Sequence, residues 1–373
     1  MSDFNFYGKT ISVDMPSGDE YLENFGDAGE IRVETEFEKE IKDKLNILIL
    51  DPQNENFDEM RVGEISLFGK NLVEYVINSC PVVPSVLPCQ YITDVLETVK
   101  PYLNNKEYTL VLYSDTPLIT KHTLLEILDF VYYKGINVCK FNRGYCFKTE
   151  YIKRISEIVS ATEYTFCEED FTIVNDTASL AFVKEIMKNR IVAFHIKNGV
   201  YVKSPDETYI ESDVIIEKGT EIDANTRLVG KSEIGSNCKI GYGTVIENAK
   251  LEDDVDIVNS SIRYSVICEK TSVMESRINA CKIGKNCTIS SLDYLQNCNL
   301  EDNIMVNPNT HLYFANIGEN TKIAEDVLVS KSEGYRTLIG KNVEIASGVR
   351  VLGGISISDN KKILPFETIL KNM

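Results

Sequence analysis

Two residues of this sequence stand where they could take part in a reaction. Asp115 follows the apolar run of residues 108–113, which is typical of a buried strand, and ligands of parallel α/β sheets bind beyond the carboxyl ends of the strands. His311 could serve as a general base, because an imidazole titrates near neutral pH and can take a proton from an attacking amine. A lone histidine is more often structural than catalytic, so both roles stay open for His311.

Metal and thiol chemistry find less support in the sequence. The chain has three histidines and ten cysteines, and no two cysteines lie in a CxxC spacing. A structural zinc site is therefore not expected. Cys281 and Cys287 stand two places before Ile283 and Ile289, and we expect both to be buried thiols.

The C-terminal half is organised by a six-residue period. Over residues 210–246 an aliphatic residue recurs every six positions without a slip, and a small or β-branched residue stands two places before each. The aliphatic residues are Ile210, Ile216, Ile222, Leu228, Ile234, Ile240 and Ile246. No helix has this period, because about 3.6 residues per turn would carry such positions around the axis. Hexads of this kind predict a parallel β-helix with the aliphatic side chains stacked inside it.

The period loses phase over residues 251–280. Arg263 and Arg277 intervene there, and the hexads return at Ile283 and Ile289. This stretch is one of two places where we expect the solenoid to be irregular.

The second irregularity is a ten-residue step from Val329 to Ile339. One hexad plus four residues fill this step, so we expect residues 330–336 to form an external loop. Insertions in solenoids gather on one face and often bind ligands. Lys331 and Arg336 could contact an anionic ligand there, although solvated cations are the commoner interpretation of such a loop.

The N-terminal half alternates strand and helix patterns. Apolar runs typical of buried strands occupy residues 46–50, 108–113 and 136–141, and helical spacing is found over residues 69–80, 121–133 and 176–197. This alternation predicts a parallel α/β sheet. The predicted organisation is an acidic accessory or partly disordered segment (1–45), an α/β domain (46–175), a linker helix (176–199) and the β-helix (200–373).

Composition excludes several classes of function. The net charge of −18 and the pI near 4.8 argue against nucleic acid as a partner, because phosphate backbones are bound by basic surfaces. No apolar run reaches the length of about 18 residues that a membrane span needs. The N-terminus has neither the basic region nor the apolar core of a signal peptide. We expect a cytoplasmic protein. Anionic small ligands remain possible, since a few local cations or backbone amides suffice for them.

Five short segments carry a resemblance to a known family. They are residues 114–118 (SDTPL), 174–176 (VND), 198–200 (NGV), 204–210 (SPDETYI) and 239–241 (KIG). Together they resemble the bifunctional N-acetylglucosamine-1-phosphate uridyltransferase and glucosamine-1-phosphate acetyltransferase family, most specifically at the junction around residue 200. The resemblance is good over residues 108–120 and 170–250 and patchy elsewhere.

The resemblance implies a nucleotidyltransferase-like (Rossmann-like) domain, a linker helix and a left-handed β-helix that assembles as a homotrimer. It implies uridyl transfer to a sugar 1-phosphate with Mg²⁺, and acetyl transfer from acetyl-CoA to an amino sugar phosphate. Asp115 and Asn175 match the family's metal-binding Asp and Asn, and hard oxygen ligands suit Mg²⁺. His311 is the counterpart of the family's catalytic base. Residues 330–336 replace a family loop, so the resemblance points to Lys331, Tyr335 and Arg336 for binding substrate or coenzyme A.

The departures from the family are as informative as the matches. The family's glycine-rich phosphate loop, with its basic residue, is replaced by residues 51–56 (DPQNEN), which have no glycine and add negative charge. Only 60 residues separate Asp115 from Asn175, about half the family's distance. We therefore expect a reduced α/β domain in which acyl transfer is more plausible than uridyl transfer. Two alternatives stay open: a nucleotidyltransferase with a rebuilt phosphate loop, and a non-catalytic trimeric scaffold or sugar-nucleotide-binding protein.

Overall fold

The chain divides into two compact units, Met1–Arg190 and Ile191–Met373. The computed structural model describes residues 2–6, 9–13, 36–90, 94–330 and 335–373. At the start of the chain, Ser2–Phe6 (β1) and Lys9–Val13 (β2) form an antiparallel pair. None of the described helices is long and apolar enough to cross a membrane.

The rest of the first unit alternates strands and helices. Its strands are Leu45–Pro52 (β3), Ser66–Leu67 (β4), Lys70–Asn71 (β5), Ser85–Cys89 (β6), Tyr108–Tyr113 (β7), Val138–Phe141 (β8), Gly144–Lys148 (β9) and Thr162–Tyr164 (β10). Its α-helices are Glu36–Lys44 (α1), Leu72–Ser79 (α2), Val95–Val99 (α3), Lys121–Lys134 (α4) and Thr149–Ile152 (α5), followed by Thr177–Lys197 (α6), and its 3₁₀ turns are Glu55–Phe57, Val62–Glu64, Lys100–Tyr102 and Glu169–Phe171.

One six-stranded sheet forms the centre of the first unit. Its order is β10-β8-β9-β7-β3-β6, and all pairs are parallel except those made by β9. Side chains alternate across the sheet, so that Ile47 and Ile49 of β3 enter one buried cluster while Leu48 and Leu50 enter the other. Helices cover both faces, with α4 on the first cluster and α3 on the second. The predicted parallel α/β domain is confirmed.

Strand β9 was not predicted from the sequence. The predicted strand over residues 136–141 is β8, and a two-residue turn of Asn142 and Arg143 leads directly into β9. A Cβ at Gly144 would collide with the Phe141 ring and lie 2.6 Å from the carbonyl oxygen of Val111. Glycine is therefore needed for the close approach of β9 to β7, and this approach places Arg143 at the carboxyl end of the sheet.

Helix α6 lies where helical spacing was found in the sequence, at residues 176–197. Its start is stabilised as expected, because the Ser179 amide donates to Oδ1 of Asp176 at 2.7 Å. At the other end, Gly199 takes a positive φ of 87°, and its amide donates to the carbonyl of Ile196.

The second unit is a solenoid of three parallel sheets. After the strand Tyr201–Val202 and the 3₁₀ turn Pro205–Glu207, the chain adds one short strand to each sheet in turn. Sheet 1 comprises Tyr201–Val202, Glu221–Ile222, Lys239–Ile240, Asp256–Val258, Ser272–Met274, Thr288–Ile289, Met305–Val306, Lys322–Ile323, Glu344–Ile345 and Lys362–Ile363. Sheet 2 comprises Tyr209–Ile210, Arg227–Val229, Val245–Glu247, Ser261–Arg263, Arg277–Asn279, Tyr294–Gln296, His311–Tyr313, Leu328–Val329, Arg350–Val351 and Thr368–Ile369. Sheet 3 comprises Ile215–Ile216, Glu233–Ile234, Lys250–Leu251, Val266–Ile267, Lys282–Ile283, Asn299–Leu300, Ala315–Ile317, Thr337–Ile339 and Ser356–Ile357.

The predicted hexads are the inward-facing residues of these strands. Leu228 pairs with Ile210 and Ile246 on the neighbouring coils, 18 residues away in each direction. All three side chains are buried, as are the thiols of Cys281 and Cys287. The prediction of a hexapeptide-repeat β-helix is confirmed.

The loss of phase over residues 251–280 is a change of spacing and not an interruption. Ile262 pairs with Ile278, so this coil has 16 residues instead of 18. Two of its corners are one residue shorter, and Tyr264 makes one of them with a left-handed φ of 48°. Arg263 and Arg277 project outward, and the core continues without a break.

An asparagine ladder runs along one corner of the C-terminal coils. Asn303, Asn320, Asn342 and Asn360 all have left-handed φ angles between 55° and 60°. Each side-chain amide donates to the next one along the solenoid, at 3.1, 3.3 and 3.2 Å. Asparagine suits this corner because it tolerates the left-handed conformation and extends the hydrogen bonding from coil to coil.

Residues 361–373 continue the solenoid. They add the strands Lys362–Ile363 and Thr368–Ile369 to sheets 1 and 2. Leu364, Phe366 and Leu370 remain exposed on this coil.

Candidate functional site

A cavity of about 430 Å³ lies in the first unit, where β3 and β7 end. Its polar lining includes Gln53, Asn54, Tyr113, Asp115, Arg143 and Asn175. The fold therefore brings Asp115 and Asn175 together, and the backbone links their segments, since the Val174 amide donates to the carbonyl of Asp115 at 2.8 Å.

Asp115 is paired with a cation. Arg143 donates from Nη2 to Oδ2 of Asp115 at 2.6 Å and from Nε to Oδ1 at 3.4 Å. The same guanidinium lies over the ring of Tyr113, 4.1 Å from its centroid. Asp115 is only 4% exposed, and burial raises the pKa of its carboxyl above the ordinary value, while the hydrogen bonds from Arg143 oppose that shift.

Asn175 is held by the loop that replaces the family's phosphate loop. Asn54 and Asn56 both donate from Nδ2 to the carbonyl oxygen of Asn175, at 3.1 and 3.0 Å. The side-chain oxygen of Asn175 accepts from Oγ of Ser179 at 3.0 Å. Residues 51–56 therefore brace the second motif with side-chain amides, where a glycine-rich loop would present backbone amides to phosphate.

Asp51 belongs to this bracing and not to the cavity lining. Its Oδ1 accepts from the Gly63 amide at 3.0 Å and from Oγ of Ser114 at 2.6 Å. The carboxylate is 5% exposed, and a Cβ at Gly63 would lie 2.5 Å from Oδ1. Asp51 thus holds residues 61–65 against the end of β3.

These groups do not fit the Mg²⁺ site that the resemblance implies. Both oxygens of Asp115 are engaged by Arg143, and the side-chain oxygen of Asn175 is engaged by Ser179. Mg²⁺ takes oxygen ligands in octahedral geometry, and a guanidinium beside the carboxylate repels a divalent cation. Across the residues that the structure describes, no group of three or more His, Cys, Asp or Glu side chains is placed to hold a metal ion.

His311 lies on sheet 2 of the solenoid, half-buried beside two tyrosines. It is in register with Tyr294 on the preceding coil, and their ring centroids are 6.4 Å apart. The ring of Tyr313, two residues along the same strand, lies 5.5 Å from that of Tyr294 and is tilted by 39° against it. Within the described part of the chain, the imidazole of His311 makes no hydrogen bond or ion pair, so no carboxylate orients it as a base.

Arg336 returns from the inserted segment to the coils that carry this cluster. Its Nη1 donates to the carbonyl of Asn297 at 2.7 Å and to Oδ1 of Asn316 at 3.1 Å. Asn297 directly follows the strand of Tyr294, and Asn316 lies on the same coil as His311. Tyr335 is 75% exposed, and Lys331 lies outside the described residues.

Several residues at these two places were not singled out from the sequence. Arg143 could have been noticed as the basic residue of a turn at the carboxyl end of β8. Tyr294 lies 17 residues before His311, which is the coil length in that part of the solenoid, but this length was not evident from regular hexads. Gln53 and Tyr113 carry no pattern that marks them as cavity residues.

Comparison with known proteins supports the resemblance found in the sequence. The family model described as bacterial transferase hexapeptide (six repeats) matches residues 213–248. The bifunctional protein GlmU of Acetivibrio thermocellus is 26% identical over 343 residues, covering 73% of this chain and 74% of that protein. GlmU of Latilactobacillus sakei is 36% identical over 118 residues, covering 32% and 25%, and GlmU of Streptococcus agalactiae is 28% identical over 205 residues, covering 54% and 45%. The chain is therefore similar in sequence to GlmU proteins of several bacteria. Apart from the first of these relatives, the matched region spans less than half of the relative's length.

Solved structures of acyltransferases and acetyltransferases also match part of this chain. The UDP-N-acetylglucosamine acyltransferase LpxA of Bacteroides fragilis has a TM-score of 0.25 at 18% identity, covering 44% of this chain and 69% of that chain. The polySia-specific acetyltransferase NeuO has a TM-score of 0.23 at 16% identity, covering 47% and 75%. Scores this low do not bear on the function of the chain.

Proposed function

We propose that the GlmU-like chain is an acyltransferase of a sugar-nucleotide pathway and that its active unit is the solenoid. The substrates proposed are an amino sugar phosphate and a coenzyme A thioester such as acetyl-CoA. The observation that carries the proposal is the return of Arg336, from the one long insertion among the described coils, to the two coils of Tyr294 and His311. This placement would allow Arg336 to bind an anionic substrate beside the imidazole of His311.

The proposed step needs one base and no metal. The amine nitrogen of the sugar attacks the thioester carbonyl, His311 accepts the amine proton, and the C–S bond breaks to release the coenzyme A thiolate, which takes up a proton. Tyr294 and Tyr313 would flank the imidazole and limit access of water. A base of this type contributes about 10²- to 10⁴-fold in rate.

The acyl-transfer assay tests this proposal directly. Acetyl-CoA and glucosamine 1-phosphate are incubated with the chain, and free coenzyme A and N-acetylated product are quantified by chromatography. His311→Ala should lower kcat by roughly 10²-fold or more. His122→Ala is the matched control, because His122 is an exposed residue of α4 that lies 3.4 Å from Glu126, and it should leave kcat unchanged. Full activity in His311→Ala would contradict the role of His311.

A second candidate is a non-catalytic sugar-nucleotide-binding protein. It is favoured by the imidazole of His311, which lacks the orienting partner that an activated base usually has. This candidate predicts no consumption of acetyl-CoA by the wild-type chain, together with heat of binding when UDP-N-acetylglucosamine is titrated. For either function we propose a homotrimer formed through the solenoid, and a monomer in multi-angle light scattering would contradict that assembly.

A further inference from the structure

The cavity of the first unit has a chemistry of its own, independent of the acyl transfer proposed for the solenoid. We propose that it is a metal-independent binding site for an uncharged ligand of nucleoside size, in which the Arg143 guanidinium takes the place beside Asp115 that a divalent cation would need. The pairing of Asp115 with Arg143 does not fit a Mg²⁺ site.

The charge of the lining excludes a polyphosphate as the preferred ligand. Among the residues that the structure describes around the cavity, the charged ones are Asp115 and Arg143, and they neutralise each other at 2.6 Å. A triphosphate would bring several negative charges next to a buried carboxylate, with no glycine-rich loop and no metal to compensate them. An uncharged ligand avoids this cost.

The hydrogen-bonding groups that face the cavity are mostly donors without a partner. Among the described residues, the side-chain amide of Gln53, the hydroxyl of Tyr113, Nδ2 of Asn175 and Nη1 of Arg143 make no hydrogen bond within the chain. Burial raises the pKa of Tyr113 to about 12, so its hydroxyl keeps its proton. A ligand rich in carbonyl and hydroxyl oxygens meets these donors.

The size and the apolar part of the lining suit a heterocycle. Pro52, Val62, Val95 and Ile173 complete the wall, and the volume of about 430 Å³ lies in the usual range for small-molecule sites. The Gln53 amide offers one donor and one acceptor, which complements the imide edge of a base such as uracil. A nucleoside combines such an edge with sugar hydroxyls.

The cation of this site is preorganised by the fold. Arg143 is fixed by two hydrogen bonds to Asp115 and by its stacking on Tyr113, and the close approach at Gly144 sets the turn that carries it. Arg143 can therefore bind a ligand without the entropy loss of ordering a long side chain, and no metal ion has to be recruited.

The first experiment compares ligands with and without metal. The full chain is titrated by calorimetry and ligand-observed NMR with uridine, N-acetylglucosamine and UTP, in EDTA and in millimolar magnesium chloride. We expect uridine to bind with the same Kd in both buffers, and UTP to bind no tighter than uridine. Binding of N-acetylglucosamine without uridine would assign the site to a sugar and still support an uncharged ligand. Failure of both neutral probes, loss of binding in EDTA, or UTP with magnesium binding more than roughly tenfold tighter than uridine would overturn the proposal.

The second experiment tests the role of Arg143. In Arg143→Gln, binding of the neutral ligand should weaken by roughly tenfold or more, and the freed Asp115 carboxylate should gain a Mn²⁺ site that electron paramagnetic resonance detects. The double variant Arg143→Gln/Asp115→Asn should lose that Mn²⁺ again. A wild-type Mn²⁺ site that Asp115→Asn removes would overturn the proposal.

Matched variants keep this test independent of folding. Arg154→Gln removes an arginine that is 80% exposed and lies 3.9 Å from its partner Glu150, and it should change neither ligand binding nor Mn²⁺ binding. Gln53→Ala removes a side-chain amide that makes no hydrogen bond to the described residues, so it should leave the melting temperature unchanged while weakening uridine binding. Uridine binding that is unchanged in both Gln53→Ala and Arg143→Gln would overturn the assignment to this cavity. These readouts do not use acyl transfer, so they stand or fall separately from the proposed function.

Discussion

Arg143 and Asp115 form an ion pair of 2.6 Å although each belongs to a different turn at the carboxyl end of the sheet. Asp115 follows β7 and Arg143 lies between β8 and β9, and the antiparallel pairing of β7 with β9 brings the two turns together. The side chain of Asp115 is 5% exposed, whereas that of Arg143 is 35% exposed. Asp115 therefore depends on Arg143 for compensation of its charge.

Removal of Arg143 should destabilise the first unit. Arg143→Ala leaves Asp115 buried without its partner, and we expect a loss of about 2 kcal/mol in the free energy of unfolding, below the value for a fully buried pair because Arg143 is partly exposed. Without Arg143 the pKa of Asp115 rises further, so the loss should grow as the pH rises from acid to neutral. Urea denaturation at several pH values measures it, with Arg154→Ala as the surface control. Equal midpoints for the two variants would contradict this prediction.

Asp293 should make the solenoid less stable as the pH rises. Its Oδ1 accepts from the Thr310 amide at 2.8 Å, but its Oδ2 has no hydrogen-bond partner among the described residues, and burial raises the pKa of the carboxyl from 3.8 to about 8. Between these values the folded state holds a proton that the unfolded state has lost, so the free energy of unfolding falls as the pH increases through this window.

Asp293→Thr tests that contribution. The equivalent position is threonine on the next coil, where Thr310 donates to the carbonyl of Ala324 at 3.0 Å. The variant should be more stable than wild type at pH 8 by about 1–3 kcal/mol, because the unsatisfied carboxyl is gone. At pH 4 the difference should be small. A variant that is less stable than wild type at both pH values would disprove this account.

His195 should weaken the second unit in acid. Both ring nitrogens are buried and find no hydrogen-bond partner in the part of the chain that the structure describes, and burial lowers the pKa of the imidazole from 6.5 to about 4. The unfolded state therefore takes up a proton at a higher pH than the folded state, and stability is complete above pH 6.5 and decreases as the pH falls toward 4. The loss reaches at most about 3 kcal/mol.

His195→Leu should remove this pH dependence. Leucine replaces the imidazole with an apolar side chain in an apolar site, so the variant should exceed wild type in stability at about pH 5. Chemical denaturation of the variant and of the exposed control His122→Leu between acid and neutral pH measures the difference. The prediction fails if the two variants show the same pH dependence of the unfolding free energy.

The asparagine ladder should contribute measurably to the stability of the C-terminal coils. Asn320 accepts from Asn303 at 3.1 Å, donates to Asn342 at 3.3 Å and has a φ of 60°. Asn320→Ala loses both bonds and places a Cβ-bearing residue without a polar side chain in the left-handed region, which should cost about 1–2 kcal/mol. Asn320→Gly loses the bonds but accepts the conformation, so thermal denaturation should show a smaller loss. A larger loss for glycine than for alanine would contradict the conformational part of this explanation.

The fold could be predicted where a local pattern carried it. The apolar runs of β3 and β7 and the helical spacing of α4 and α6 each appear within one segment, and the structure has them in place. Strand β9 was missed because it follows β8 after only two residues and no separate turn signal marks it. The loss of the six-residue period over residues 251–280 predicted an irregular solenoid. A corner with one residue fewer shortens the spacing to five, while the same kind of aliphatic residue still points inward.

The candidate sites were only partly predictable. Asp115 and Asn175 were found from their motifs, and the structure places both in one cavity, but the cation beside Asp115 comes from a distant turn. His311 was named from the family resemblance, with the chemistry of an imidazole as support, and its neighbours Tyr294 and Tyr313 became visible only with the coil length. Their catalytic and binding roles stay predictions.

The sequence by itself determined the solenoid, because each inward residue is defined by neighbours six places away and every coil repeats the same burial. It also determined the central strands β3 and β7 of the first unit, since strands buried on both faces are continuous apolar runs. Only the tertiary structure decided what surrounds Asp115. A period in the chain specifies which side chains are buried, whereas the partner of a buried charge depends on which strand ends meet. The pairing of β7 with β9 brings the two strand ends together. As a result Asp115 forms an ion pair with Arg143, where the family resemblance implied a metal ion.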